Sequence, residues 1–289
     1  REKEISMKKG ALIKKSNKFP TFSVLITVYS KEKPEFLEKS IKSVINQTVV
    51  PSQIIIVEDG KLTSELEKVI ENHKKSFFND FTIVKLDKNM GRGIASNAGI
   101  EKATNEWIAK MDSDDISKPD RFEIQLKAIQ KHPEVVAIGG QVGEFIGTQS
   151  NIISKREVPL DSESIFKFAK YRSPVNNPTV MFKKSVVKEL GEYSNLRFLE
   201  DYDLWVKMLT AGFKIVNVPE TIVDMRMSDS LYSRRGGFKY LFVYIKLKDK
   251  WRRMGLGNYW SVFTSDVAMF LNTLIPANIR KLTYKKFLR

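Results

Sequence analysis

The chain has 289 residues, 42% hydrophobic and 29% charged, with no cysteine and two histidines. That length and composition fit a globular chain with a full core and exclude wholesale disorder and collagen-like structure. The absence of cysteine excludes disulfides, thiolate zinc sites and cysteine nucleophiles. His73 and His132, isolated and both expected at the surface, exclude a histidine-built metal site.

The net charge of +15 is unevenly placed. Residues 1–20 hold seven Lys/Arg against two Glu, residues 226–289 hold fourteen against three Asp, and the body between is left at −1. Basic ends on a neutral body point to an anionic polymer, an anionic membrane surface or a solvated periphery. No segment reads as a transmembrane span, because the charge-poor stretch from Met254 to Ile279 carries Asp266 and is broken by Pro276. The N-terminus shows no secretory apolar core. The chain opens on Arg1, with Met7 a candidate start.

From residue 21 strands and helices alternate. Phe22–Tyr29 is a β-rich apolar run, and Pro34 opens a helix with Leu37, Ile41, Val44 and Ile45 on one face. Gln53–Val57 is a second buried strand, followed by a helix over about 63–76 and a strand at Phe81–Leu86. A helix from Gly93 to Ala103, a strand at Trp107–Met111, a helix after Pro119 and a strand at Val135–Ile138 complete the series. This order predicts an α/β fold with a doubly wound, Rossmann-like, mostly parallel sheet. Past residue 140 shorter strands and helices over about 161–170 and 201–211 are expected to lie beside that sheet.

Ligands of open α/β sheets bind outside the carboxyl ends of the strands. Strand one ends at Thr27-Val28-Tyr29, strand two at Glu58-Asp59, and the fourth at Asp112-Ser113-Asp114-Asp115. Three acidic residues within four positions repel one another, and a hard divalent ion such as Mg²⁺ or Mn²⁺ relieves that repulsion. The alternative is that these aspartates cap the next helix and make Asx turns.

The series extends further. Ser43-Val-Ile-Asn-Gln-Thr48, Ile55-Ile-Val-Glu-Asp-Gly60, Asn89-x-Gly91-x-Gly93-x-Ala95-x-Asn97-x-Gly99 and Met111-Asp-Ser-Asp-Asp115 follow one another in order. Asn177-Pro-Thr-Val-Met-Phe182 and Leu199-Glu-Asp-Tyr-Asp-Leu-Trp205 lie downstream. Over residues 21–235 this series resembles the family 2 glycosyltransferases of GT-A fold. The bacterial members that build capsular and exopolysaccharide repeat units, amylovoran type included, are the most similar.

The resemblance implies an inverting transfer from a nucleotide diphosphate sugar, a UDP-sugar above others, to a hydroxyl of a lipid-linked or saccharide acceptor. It implies a nucleotide-binding part over about 21–115 and an acceptor part over about 116–235. Thr27, Tyr29, Glu58 and Asp59 then hold base and ribose, with Glu58 departing from the usual Asp. Asp59 is expected to accept a pyrimidine imide N–H, or else to make an Asx turn with Gly60. Arg92 falls near phosphate and Asp112 near the ribose or donor sugar. Asp114 ligates Mn²⁺ or Mg²⁺, supported by Asp112 and Asp115. Asp201 is the expected general base, beside Glu200; acidic residues in a first helical turn also favour the macrodipole. Asp203, two residues on, lies on another face of that helix and is the lesser candidate. Asn177 lines the acceptor side where similar sequences carry His. Arg226, Arg234 and Arg235 are placed to cover the diphosphate, or else Arg234-Arg235 simply open the basic tail.

The tail over 236–289 is basic and amphipathic. Trp260, Phe263, Val267, Phe270, Leu271 and Leu274 share one helical face, and Arg280, Lys281, Lys285, Lys286 and Arg289 follow. This pattern suits an anchor on anionic lipid at the inner face of the plasma membrane, or a stripe packed on the domain or a second subunit. Rival classes fit less well. A phosphatase using Asp-x-Asp wants Thr or Val where Ile116 stands, a nucleotidyltransferase wants a Gly- and Arg-rich loop after strand one, and a nucleic-acid binder wants interleaved exposed aromatics. A non-catalytic scaffold subunit is disfavoured because every acidic position is filled.

Overall fold

The structure is a computed structural model and describes residues 19–227 and 237–274. Its centre is four parallel strands, β1 (Phe22–Val28), β2 (Gln53–Glu58), β3 (Asp80–Lys85) and β4 (Trp107–Asp112). The helices α1 (Pro34–Ile45), α2 (Ser64–Ser76) and α3 (Arg92–Lys102) make the crossovers. Pro34 starts α1 because its fixed φ suits the first helical position. Along β1 the side chains alternate between two cores: Val24, Ile26 and Val28 face α1, α2 and α4 (Arg121–Lys131), whereas Leu25 packs with Ala95 and Ile100 of α3.

The chain beyond residue 140 departs from expectation. It extends the same sheet instead of lying beside it. The strand at 135 runs on to Phe145 as β6 (Val135–Phe145), and the longest strand is β9 (Lys214–Arg226). With β5 (Ile116–Ser117), β7 (Ile152–Arg156) and β8 (Met181–Lys183), nine strands form one sheet in the order β3-β2-β1-β4-β8-β6-β9-β5, with β7 on β6. β8 runs antiparallel to β4 and β6, so the sheet is mostly but not wholly parallel. Gly139, Gly140 and Gly143 interrupt the apolar pattern that would have marked β6 as long. They are there because β9 lies close: a Cβ at Gly139 would sit 2.3 Å from Asn217 Oδ1 and one at Gly143 2.9 Å from Asp224 Oδ1.

The remaining helices are α5 (Ser162–Phe168), α6 (Lys184–Glu189), α7 (Glu200–Thr210), α8 (Phe238–Arg253) and α9 (Tyr259–Leu274). Leu204 and Trp205 of α7 share the second core with Leu247 and Trp251 of α8, so α8 packs on the body of the fold. His73 corrects its expected surface position. It is buried in α2, and its Nε2 meets Glu38 Oε2 at 2.8 Å, tying α2 to α1.

The β6–β9 contact yields a stability test. A Cβ at Gly140 would approach Ile222 Cδ1 to 2.6 Å and Val218 Cγ2 to 2.9 Å, and Ile222 is fully buried. Gly140→Ala is expected to cost about 1–3 kcal/mol through overpacking, read as a lowered Tm in thermal unfolding.

Candidate active site

The sheet register brings the strand-end residues together. Thr27 pairs with Asp112 across β1 and β4, and Val28 pairs with Glu58 across β1 and β2. Tyr29 follows at the same edge, 39% exposed. Glu58 is buried beside Lys85 Nζ at 3.2 Å, and burial outweighs that partner to raise its carboxyl above the ordinary value. Asp59 holds the glycine-rich loop: its Oδ1 accepts the Met90 N–H at 2.6 Å and its Oδ2 the Gly91 N–H at 3.1 Å. Gly60, at φ +85°, is required there, since a Cβ would lie 2.7 Å from the Asn89 nitrogen.

The aspartate loop is held from several sides. The Asp112 carbonyl accepts from Ser40 Oγ at 2.9 Å, and Ser113 Oγ donates to Glu32 Oε2 at 2.5 Å. Asp115 is buried and its Oδ1 accepts the Arg226 backbone N–H at 2.8 Å. Arg226, expected over a diphosphate, makes several contacts with the loops here. Its Nε donates to the Asp114 carbonyl at 3.1 Å and its terminal nitrogen to the Gly147 carbonyl at 3.0 Å. The rings of Phe36 and Phe145 lie 3.8 and 4.6 Å from the guanidinium carbon, so Arg226 grips the loop by its backbone. Arg234 lies outside the described residues.

Helix starts supply the opposite wall. Arg92 opens α3 and Glu200 opens α7, and their side chains pair at 3.0 Å. Gly93 permits this approach, because a Cβ would meet the Ser194 carbonyl at 2.9 Å. Burial acts against the charge of Arg92, yet Glu200, Asp112, Asp201 and Asp114 together hold its guanidinium above the ordinary value. The Arg92 side chain nonetheless remains 60% exposed and open to a ligand. Burial outweighs Arg92 at Glu200 and, with Asp201 adjacent, brings that carboxyl up to about 7. Glu200 Oε2 is buried without a partner. Asp201 is half-buried, its Oδ1 accepting the Tyr202 N–H at 2.8 Å. The structure thus brings Arg92, Asp112, Asp114, Glu200 and Asp201 into one electrostatic cluster.

The donor set fits a divalent cation. Burial, then the charges of Asp112 and Glu32, push Asp114 up to about 7, and Asp115 is likewise raised by burial beside Asp114. A cation would relieve both. Among the described residues no three His, Cys, Asp or Glu side chains form a ready cage. An ion at this loop would therefore be held by one or two carboxylates and completed by phosphate and water.

Three participants escaped the sequence reading. Glu32 lies in an ordinary polar loop and gave no signal. Lys110 did give one, a charge inside the apolar run of β4. It is fully enclosed, with Nζ 3.1 Å from Ser96 Oγ, and burial lowers its ammonium to about 8 against the pull of Asp112 and Glu200. Tyr193 has a buried hydroxyl with no partner, and burial with the charges of Asp201 and Glu200 raises its phenol. Asn177 opens a turn of 3₁₀ helix (Asn177–Thr179), its Oδ1 also buried without a partner.

The mixed sheet and its helices are those of GT-A glycosyltransferases. The mannosyltransferase PcManGT from Pyrobaculum calidifontis, solved with GDP-Man and Mn²⁺, superposes with a TM-score of 0.61 at 14% identity, covering 92% of this chain and 80% of that one. S. aureus TarS 1-349, solved with UDP-GlcNAc, gives 0.58 at 15% identity, covering 93% and 71%. The model of glycosyl transferase family 2 matches residues 23–191, and the chain belongs to that family. It is a glycosyltransferase. The UDP-Gal:alpha-D-GlcNAc-diphosphoundecaprenol beta-1,3-galactosyltransferase of Escherichia coli is 37% identical over 275 residues, 95% of this chain and 98% of that protein. The amylovoran biosynthesis glycosyltransferase AmsE of Erwinia amylovora is 34% identical over 269 residues, 92% and 98%.

Asp203 takes a role that sequence spacing did not suggest. It is fully buried and receives Ser194 Oγ at 2.5 Å, Lys250 Nζ at 2.9 and 3.1 Å, and Trp251 Nε1 at 2.8 Å. Burial is outweighed by these donors, so its carboxyl ionises below the ordinary range. The stabilisation is therefore present above the unfolded aspartate value, about pH 4, and is lost as pH falls through the lowered native value. Asp203→Asn is expected to cost about 1–3 kcal/mol at neutral pH and to flatten the acid limb of stability. Asp201→Asn should stay within about 0.5 kcal/mol; urea unfolding across pH checks both.

Proposed function

We propose that this glycosyltransferase moves a sugar, with inversion, from a UDP-sugar to a hydroxyl of a lipid-linked saccharide during bacterial surface-polysaccharide synthesis. The carrying observation is that Arg92 lies in the field of both carboxylate pairs, Asp112 with Asp114 and Glu200 with Asp201. A donor site and a proton acceptor therefore face one small volume. The lipid-linked substrate named for the E. coli relative and the UDP-GlcNAc held by TarS support this choice of partners.

In this reading Thr27, Tyr29, Glu58 and Asp59 receive the base and ribose, with Asp112 at the ribose or donor sugar. Asp59 fixes the glycine loop and keeps lone pairs for an imide N–H. Asp114, with Asp112 and Asp115, holds Mn²⁺ or Mg²⁺, which when bound neutralises charge on the departing diphosphate. Asp201 accepts the proton of the acceptor hydroxyl as its oxygen bonds to the anomeric carbon and the bond to the diphosphate breaks. Arg92, paired with Glu200, offers its exposed fork to phosphate. Asn177 lines the acceptor side, where its unpartnered Oδ1 can take a sugar hydroxyl. The enzyme works in the cytoplasm, peripherally on the inner face of an anionic membrane, where its acceptor resides.

Two substitutions separate the roles. Asp201→Asn should leave UDP affinity nearly unchanged and lower transfer roughly 10²–10⁴-fold, the usual worth of a general base. Asp114→Asn should abolish Mn²⁺-dependent UDP binding and transfer together. Calorimetry with UDP and Mn²⁺, alongside a transfer assay, distinguishes them. Cation-dependent binding by Asp114→Asn, or undiminished transfer by Asp201→Asn, overturns the assignment.

A further inference from the structure

The last two helices present their apolar residues outward. On α9, Trp260 is 70% exposed, Phe263 59%, Leu271 56% and Leu274 57%, while the residues turned inward are Ser261 and Ser265. On α8, Phe238 and Phe242 are 60% and 69% exposed, with Ile245 continuing the same row at helical spacing. An amphipathic helix in a water-soluble fold buries its apolar face. Here α9 does the reverse, so among the described residues the stripe is not packed on its own domain.

We infer that α8 and α9 form a lipid-inserting hairpin whose outward aromatic rows enter the interfacial layer of an anionic bilayer. The inference rests on the membrane-bound reading proposed above and names the surface that would make the contact. Charge complementarity selects lipid over a protein partner. α8 carries six Lys/Arg against one Asp, and the sequence past α9, residues 275–289, adds five Lys/Arg and no acid. Lys is depleted in protein–protein interfaces, whereas tryptophan and tyrosine beside dense cations characterise an interfacial element. Lys239, Lys246 and Arg253 are exposed next to the α8 row.

The hairpin is also firmly joined to the catalytic body. Asn258 starts α9 by accepting the Ser261 N–H at 2.9 Å, and Arg252 of α8 lies 4.0 Å from the Tyr259 ring. Lys250 and Trp251 of α8 bind Asp203, two residues from Asp201 on α7. Lipid contact at the hairpin thereby fixes how the helix carrying the proton acceptor is presented to a membrane-embedded substrate.

Trp260 makes this testable in the unmodified chain. The other three tryptophans, Trp107, Trp205 and Trp251, are each no more than 6% exposed. Vesicles of equal parts phosphatidylglycerol and phosphatidylcholine should shift its emission to the blue, and brominated acyl chains should quench it. Phosphatidylcholine alone should bind less. The full-length double variant Phe242→Ser with Phe263→Ser should lose at least about tenfold in vesicle affinity, with UDP binding unchanged. No blue shift with the anionic vesicles, or equal vesicle binding by the variant, overturns the inference. So does a wild-type dimer in sedimentation that the variant converts to monomer, because a second copy would then cover the rows. These readouts contain no sugar acceptor, so their failure leaves the transfer reading standing, and failure of transfer leaves them intact.

Discussion

Carboxylates are concentrated at one end of this sheet, and the surrounding structure is organised by the need to hold them there. Parallel strands deliver Asp112 beside Thr27 and Glu58 beside Val28, and helix starts bring Glu200 and Asp201 toward the same volume. Burial first, and then the neighbouring like charges, disfavour ionisation, which is why Asp114 and Glu200 both rise to about 7. Arg92 opposes that repulsion from the centre. A bound cation or anion would change that balance at once.

Polar residues away from the reacting volume keep the charged loops in position. Arg226 grips the aspartate loop at the Asp114 carbonyl and the Asp115 carboxylate, and reaches the Gly147 carbonyl, while stacked on Phe36 and Phe145. Asp59 does the same for the glycine loop through two amide donors. Asp203, itself buried, joins α7 to α8 with three hydrogen bonds and accepts a fourth from Ser194. Each is a charged group engaged in holding backbone or helices, Asp59 with lone pairs to spare, which explains why acidic or basic identity alone could not assign it a role. Asp201 and Asp203 share a helical turn and a chemistry, and burial with partners is what separates them.

Sequence periodicity was sufficient for the first half of the fold, because β1 to β4 are continuous apolar runs between amphipathic helices. It failed for the length of β6, where Gly139, Gly140 and Gly143 permit close contact with β9 and remove the very side chains that would have marked a strand, and for β9, whose apolar run is broken by Pro219 and Glu220. The acidic site was legible from strand-end position, and the resemblance supplied its roles. Glu32 and Tyr193 were not legible, since they approach the site only through tertiary packing. Lys110 was legible in part: a cation within a buried strand demands a local anionic environment, though not its identity.

The C-terminal helices show why a hydrophobic stripe cannot by itself assign its own partner. The sequence of α9 suits a helix packed on the domain as well as one laid on lipid, because both bury the same residues. What distinguishes them is the opposite face. Ser261, Ser265 and Asp266 are small or polar, and they are the residues that turn toward α8, with Asp266 acting on Lys248. The inward face of α9 is thus lined by hydroxyls and a charge, while its aromatic residues stand exposed to water. Apolar area exposed in this way is costly. For an enzyme proposed to act on a lipid-linked acceptor, the bilayer that holds the acceptor is the environment that removes this cost.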